Sequence, residues 1–174
     1  MKATFKTSLL LLVTILATNC APPPRVTPVA RVVEKERIVN KSFDAVWQST
    51  IEWFATHNTP IKNLDKSSGL VSTEYSLSMA EAANYMDCGG STISAFGANT
   101  RLENHSGNFN VLLKKIDDTH TKINVNVFFG CTLNTYNYKG LLSTEMILTG
   151  SKRINCYSTG ALEKQVLDFL EAAN

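Results

Sequence analysis

This sequence has few of the residues that build catalytic or metal centres. Its 174 residues contain three histidines and four cysteines, and neither a CxxC nor an HExxH motif occurs. Histidine and cysteine ligands at such short spacings are the usual sign of a zinc site, so the sequence predicts no metal. The glycines do not follow the spacing of a phosphate-binding loop, and no other cofactor is expected.

A strong excess of positive charge is missing as well. The chain has 17 Lys and Arg against 15 Asp and Glu, a net charge of +2. Lys2 and Lys6 lie in an N-terminal segment that we expect to be removed, which leaves equal numbers of both signs. Proteins that bind nucleic acid carry a basic patch. No such patch is visible here, so we expect no nucleic-acid partner.

A long hydrophobic run is also absent: the apolar stretch from Leu9 to Ala17 is shorter than the roughly 20 residues that cross a membrane. The opening MKATFKTSLLLLVTILATNCAPPP instead joins a basic head, a short apolar stretch and a processing site at Cys20. This arrangement resembles the lipobox of bacterial lipoproteins. It departs from that pattern at Ala17, where Leu is preferred, and at Asn19, where Gly, Ala or Ser is preferred.

The lipobox resemblance implies that residues 1–19 are a signal peptide and that Cys20 carries the lipid, including palmitate. Ala21 follows in place of the Asp that retains lipoproteins in the inner membrane, which implies an outer-membrane lipoprotein facing the periplasm. Ordinary secretion and an uncleaved anchor are the alternatives. Residues 20–30 contain four prolines, and an extended polyproline segment of this kind predicts a tether between the lipid and the folded body.

Residues 31–174 have the length of one domain. Residues 31–40 are rich in Val and Ile, which predicts a strand. Ser42 is suited to cap a helix, and the apolar spacing that follows predicts this helix over 43–57. Residues 79–104 are predicted to be irregular apart from one helical turn at 81–86. The remaining predicted elements are strands at 61–65 and 70–78, a hairpin over 109–131, a strand at 141–149 and a C-terminal helix that begins near Thr159 or Gly160 and includes Leu162 to Leu170.

This order of elements predicts an α+β fold. Helices do not alternate with strands, so the sheet should be antiparallel, and the layer rule places helices on one of its faces. We therefore expect a helix-grip-like two-layer sandwich in which an antiparallel sheet packs against an N-terminal and a C-terminal helix. The alternation in the last strand of the hairpin places one set of residues on the inward face: Ile123, Val125, Val127, Phe129 and Cys131.

One segment within residues 31–78, RIVNKSFDAVWQSTIEWFATHNTPIKNLDKSSGLVSTEY, resembles the helix-grip domain of BamC-like outer-membrane assembly lipoproteins. The matching positions are Phe43, Trp47, Asp65, Gly69 and Val71. The resemblance implies a fold and an envelope location, not an activity. BamC-like proteins have two such domains and a long segment that docks their partner, whereas this chain has one domain and a short tether.

Three cysteines remain beyond Cys20. In an oxidising compartment they can form one internal disulfide and leave one thiol. Cys131 lies on the inward strand face and should be a buried thiol. Cys88 and Cys156, in contrast, lie in polar sequence that is predicted to be flexible. We therefore predict a Cys88–Cys156 disulfide. Pairing of Cys131 with either partner, or no disulfide at all, are the alternatives.

The sequence predicts no catalytic residues and no enzymatic activity. The expected function is a structural or adaptor role at the envelope, with the membrane contacted through the lipid and an unidentified envelope protein as partner. One alternative is a periplasmic binder of a lipid or other apolar ligand, in a cavity lined by Trp47, Trp53 and Phe54. Another is a cysteine enzyme that uses a free Cys88 beside Gly89 and Gly90. Tyr136 and Tyr138, in a predicted loop, are candidates for a partner contact.

Overall fold

A computed structural model describes residues 25–93, 98–140 and 143–173, so the predicted signal peptide and Cys20 lie outside the described residues. Over the described residues the chain forms three helices and seven strands in an α+β arrangement. The helices are α1 (Phe43–Thr56), α2 (Met79–Tyr85) and α3 (Ala161–Ala172). The strands are β1 (Glu36–Val39), β2 (Asn63–Asp65), β3 (Leu70–Ser76), β4 (Met86–Asp87), β5 (Asn99–Lys115), β6 (Thr121–Tyr138) and β7 (Met146–Ser158).

The strands form one antiparallel sheet, as the sequence predicted. Its order is β2-β3-β5-β6-β7-β4, and β1 pairs with β6 off this path. Strand β6 is the centre of the sheet. It pairs with β5 along almost its whole length, with β1 at its first four residues and with β7 from Phe129 onwards.

Helix α1 forms where the sequence predicts it and ends one residue earlier. The Ser42 hydroxyl accepts a hydrogen bond from the amide of Ala45, which satisfies one of the free donors at the helix start. Trp53 and Phe54, both buried, place their rings 5.5 and 5.1 Å from that of Phe109 on β5. This aromatic contact joins the helical layer to the sheet.

Helix α3 closes the same face of the sheet. Its apolar side consists of four fully buried residues: Leu162, Val166, Leu167 and Leu170. Lys41 donates to the carbonyl oxygens of Leu170, Glu171 and Ala173 at the end of the helix, where free carbonyls carry partial negative charge. The two predicted helices therefore cover one face of an antiparallel sheet, which is the coarse architecture expected from the sequence.

The turn between β2 and β3 is formed by two of the positions that carry the BamC-like pattern, Asp65 and Gly69. The Asp65 carboxylate accepts hydrogen bonds from the hydroxyls and amides of Ser67 and Ser68, which lower its pKa to about 2. Gly69 has a positive φ of 73°, and a Cβ at this position would overlap the carbonyl oxygen of Leu113. Both residues are therefore required by the turn itself.

Several predicted boundaries are wrong, mostly because the strands are longer than their sequences suggest. Residues 99–104, predicted to be irregular, belong to β5, and Tyr136 and Tyr138 lie in β6 instead of a loop. The strand predicted at 141–149 is β7, which runs from 146 to 158. These segments are rich in Asn, Ser, Thr and Gly, and pairing with neighbouring strands outweighs their weak intrinsic preference. The first strand is instead shorter than predicted: β1 has four residues, and each of them pairs with a residue of β6.

The other face of the sheet carries polar side chains. Asn110 and Asn126 face each other across β5 and β6 and share a hydrogen bond of 3.2 Å, and Asn124 donates to Glu36 on β1. An antiparallel sheet that is buried on one side and solvated on the other shows this alternation. Among the described residues, none of the helices combines the length and apolar character that crossing a membrane requires.

Replacing Phe109 by Ala should cost about 3–5 kcal/mol of unfolding free energy, because this ring is 1% exposed and contacts both aromatic residues of α1. Phe128 is a matched control on the opposite face, with 63% of its surface exposed. Phe128→Ala should change stability by no more than about 0.5 kcal/mol. Urea unfolding of both variants measures the difference, and equal losses would contradict the packing described here.

Candidate functional site: a sulfur cluster beneath the N-terminal segment

The predicted Cys88–Cys156 disulfide is present in the structure. Strands β4 and β7 pair Met86 with Ser158 and Asp87 with Tyr157, so continuing this register brings Cys88 opposite Cys156. Their Cα atoms are 4.4 Å apart and their sequence separation is 68 residues. Closing a loop of this length stabilises the folded chain by about 4 kcal/mol on the chain-entropy model. Cys156 lies in a strand, which corrects the expectation of flexible sequence around it.

Cys131 is a free and fully buried thiol, as its strand phase predicted. Its sulfur lies 3.7 Å from that of Cys156, and the sulfurs of Cys88, Cys131 and Cys156 all lie within 4.8 Å of one another. We call these three residues the sulfur cluster. Burial raises the pKa of the Cys131 thiol, an effect that the charges of Arg25 and Arg153 partly offset.

The sulfur cluster has the parts for thiol–disulfide exchange. Attack of a Cys131 thiolate on the sulfur of Cys156 would form a Cys131–Cys156 bond and release Cys88 as a thiolate. The raised pKa opposes this step, since only the thiolate is the nucleophile. Because Cys88 is held in the disulfide, it has no thiol to act as the nucleophile of the cysteine-enzyme alternative. For the same reason, Cys131 is the one member of the sulfur cluster with a thiol that could ligate a metal.

The N-terminal segment, residues 25–35, has no regular secondary structure, and its first five residues contact the loop that contains Cys88. Arg25 donates from Nη2 to the carbonyl oxygen of Cys88 at 2.6 Å and from Nε to that of Gly90 at 3.2 Å. The amide of Gly90 in turn donates to the carbonyl oxygen of Val26 at 3.0 Å. The tether expected over residues 20–30 is therefore docked on the domain from Arg25 onwards.

Two further features hold the N-terminal segment in place. The Asp87 carboxylate accepts hydrogen bonds from the amides of Gly89 and Val29 at 2.9 and 3.2 Å, and these two bonds lower its pKa. Gly89 has a φ of 75°, and a Cβ there would overlap the carbonyl oxygen of Val26. The Asp-Cys-Gly-Gly sequence thus supplies a carboxylate, a disulfide and the room that the segment needs.

Two cavities share His105 in their walls, and the smaller one adjoins Cys88 of the sulfur cluster. The smaller, about 170 Å³, is lined in part by Met79, Met86, Cys88 and His105. The larger, about 550 Å³, is open and includes Glu103, His105 and Arg153 in its wall. The first is below the roughly 300 Å³ of a typical ligand site. The second, whose wall also includes Leu77 and Met79, is open to solvent, whereas a ligand site encloses most of its ligand.

The aromatic residues considered for a ligand cavity are packed in the core. Trp47, Trp53 and Phe54 are all buried, and Phe43 stacks on Trp47 with 6.2 Å between ring centres. Tyr136 donates to Glu103 at 3.3 Å and lies beneath the guanidinium of Arg101. Tyr136, a candidate for a partner contact, therefore contacts two side chains of β5.

The docking of the N-terminal segment and the proximity of the third sulfur were not predicted. The available signals were the strand phase of Cys131 and the carboxylate and glycines on either side of Cys88. Neither signal shows where residues 25–29 lie, because those contacts join positions about 60 residues apart. Comparisons of the chain with protein-family models, with curated proteins and with solved structures found no match.

The Cys131→Ala variant should lose less stability at alkaline pH than the native chain. Burial raises the pKa of the Cys131 thiol above the value of about 8.5 that it regains on unfolding. The folded state therefore holds this proton longer, and the thiol's contribution to stability is complete below about pH 8 and is lost as the pH rises towards the raised pKa. Urea unfolding at about pH 7 and about pH 9.5 compares the two chains. Equal losses between these pH values would contradict the raised pKa.

Proposed function

We propose that this protein is an exported lipoprotein of the bacterial envelope, anchored through Cys20, with a non-enzymatic structural or adaptor role. The observation that carries this proposal is the Cys88–Cys156 disulfide. Disulfides persist in the periplasm and outside the cell but are rare in the cytosol. A disulfide in the folded domain and an export signal that ends at a cysteine support the same compartment independently.

The proposed location is the periplasmic side of the outer membrane. The lipobox-like sequence ending at Cys20 and the Ala at position 21 support it. Diacylglycerol plus an amide-linked chain, as lipoproteins carry, holds a protein to a bilayer much more firmly than a single acyl chain. The lipid is therefore the membrane anchor in this proposal, and the domain needs no membrane-spanning segment of its own.

The proposed domain type is helix-grip-like, on the pattern of the BamC-like lipoproteins. Four of the matching positions have structural roles that favour it. Phe43 stacks on Trp47, Asp65 and Gly69 form the β2–β3 turn, and the fifth position, Val71, is fully buried beneath the helices. The C-terminal helix lies against the sheet and buries four apolar side chains there: Leu162, Val166, Leu167 and Leu170.

An adaptor role is favoured over the binding of an apolar ligand. Leu162, Val166 and Leu170 of α3 are fully buried against the sheet and α1, so the space that such a ligand would occupy is filled by side chains. By contrast, the solvated face of the sheet exposes apolar side chains among its asparagines: Ile38, Leu112 and Phe128. In this proposal, these three side chains are the apolar positions on this face that a partner protein contacts.

Replacing Cys20 by Ser should release the protein from the membrane fraction and abolish its labelling by a palmitate analogue. Cys131→Ala is the matched control: it removes a cysteine but leaves Cys20, so it should keep both the membrane association and the label. Cell fractionation and metabolic labelling measure the two properties. If the Cys20→Ser chain is labelled and sediments like the native chain, the protein is not anchored through Cys20.

A further inference from the structure

The docked N-terminal segment limits how far the domain can lie from its anchor. Five residues lead from Cys20 to Arg25, and an extended chain spans at most about 3.6 Å per residue. A lipid on Cys20 is therefore within about 18 Å of Arg25. Because Arg25 is hydrogen-bonded to Cys88 and Gly90, the same limit applies to the end of the domain that contains the disulfide.

This end of the domain also exposes apolar side chains. Val26, Val29 and Val32 are 68, 62 and 106% exposed. They follow one another at intervals of three residues along a segment without regular secondary structure. Tyr157, which pairs with Asp87 beside the disulfide, is also exposed. We call the three valines the valine ridge.

The opposite end of the sheet is far from the anchor. Leu148 lies nine residues before Tyr157 on β7, and a strand rises about 3.3 Å per residue, so the two residues are about 30 Å apart. The side chain of Leu148 is exposed to a similar degree, 55% against 47% for Tyr157. The two ends of one strand therefore provide similar surface positions at different distances from Cys20.

We propose that the valine ridge and the neighbouring disulfide end of the domain lie against the lipid surface, and that the Leu148 end points away from the membrane. This inference rests on the proposed function, because it requires the lipid on Cys20. The lipid supplies the affinity for the bilayer, and the docked segment sets the orientation. Arg25 donates hydrogen bonds to the carbonyl oxygens of Cys88 and Gly90, so the residues between Cys20 and Arg25 hold this end of the domain close to the lipid.

Tryptophan quenching by brominated lipids tests the orientation. The native Trp47 and Trp53 are buried, so they form a constant background. The lipidated full chain would carry either Tyr157→Trp or Leu148→Trp, in vesicles of phosphatidylethanolamine and phosphatidylglycerol with brominated acyl chains. We expect quenching of the Tyr157→Trp reporter to exceed that of the Leu148→Trp reporter at least twofold. Equal quenching, or stronger quenching of the Leu148→Trp reporter, would overturn the proposed orientation.

A second variant tests the part played by the docked segment. Arg25→Ala removes both hydrogen bonds to the loop that contains Cys88 and leaves the buried core intact. Combined with Tyr157→Trp, it should lower the quenching towards that of the Leu148→Trp reporter, because the domain can then turn on its linker. Unchanged quenching would show that the segment does not set the orientation.

The failure of this inference can be told from the failure of the proposed function. If the native full chain purified from cells carries no lipid and does not float with vesicles, both the proposed orientation and the proposed anchoring are wrong. A lipidated chain that floats with vesicles but quenches the two reporters equally overturns the orientation alone, and the proposed anchoring stands.

Discussion

The pairing of β6 with its neighbours is the constraint on which the rest of the structure depends. The first half of this strand lies beneath α3 and supplies the fully buried Ile123 and Val125. The second half pairs with β7, and this pairing brings Cys131 within 3.7 Å of the sulfur of Cys156. One continuous strand therefore connects the hydrophobic core to the sulfur cluster, and the register of that strand positions both.

The disulfide extends this order to the N-terminal segment. It holds the loop from Cys88 to Gly90 against β7, and the carbonyl groups of that loop are the acceptors for Arg25. Without the Cys88–Cys156 bond, the sheet would hold the loop only through the two residue pairs between β4 and β7. The compartment in which the protein folds therefore affects the position of the N-terminal segment as well as the stability. The segment that leads to Cys20 is held by the loop at Cys88, and the disulfide holds that loop in place.

Local pattern was sufficient to predict the helices and the core, but not the extent of the sheet. The stripe from Phe43 to Phe54 and the alternation from Ile123 to Cys131 predicted α1 and the inward face of β6, since both are periodic burial patterns. Residues 99–104 have no such pattern and become a strand because β6 pairs with them. The cysteine pairing was predicted correctly although Cys156 was expected in flexible sequence. The docking of Arg25 depends on distant backbone carbonyls, which no local pattern reveals.

The central claim is that the chain reaches an oxidising compartment, where Cys20 is lipidated and Cys88 is paired with Cys156. The most direct test counts the free thiols of the protein from cells quenched in acid, unfolded and treated with a mass-tagged maleimide. The account predicts one tag on the full chain, at Cys131, and four on a chain that lacks residues 2–19 and stays in the cytosol. Two tags on the full chain would show a Cys20 without lipid, and three or four would show free Cys88 and Cys156; each of these results would contradict the account.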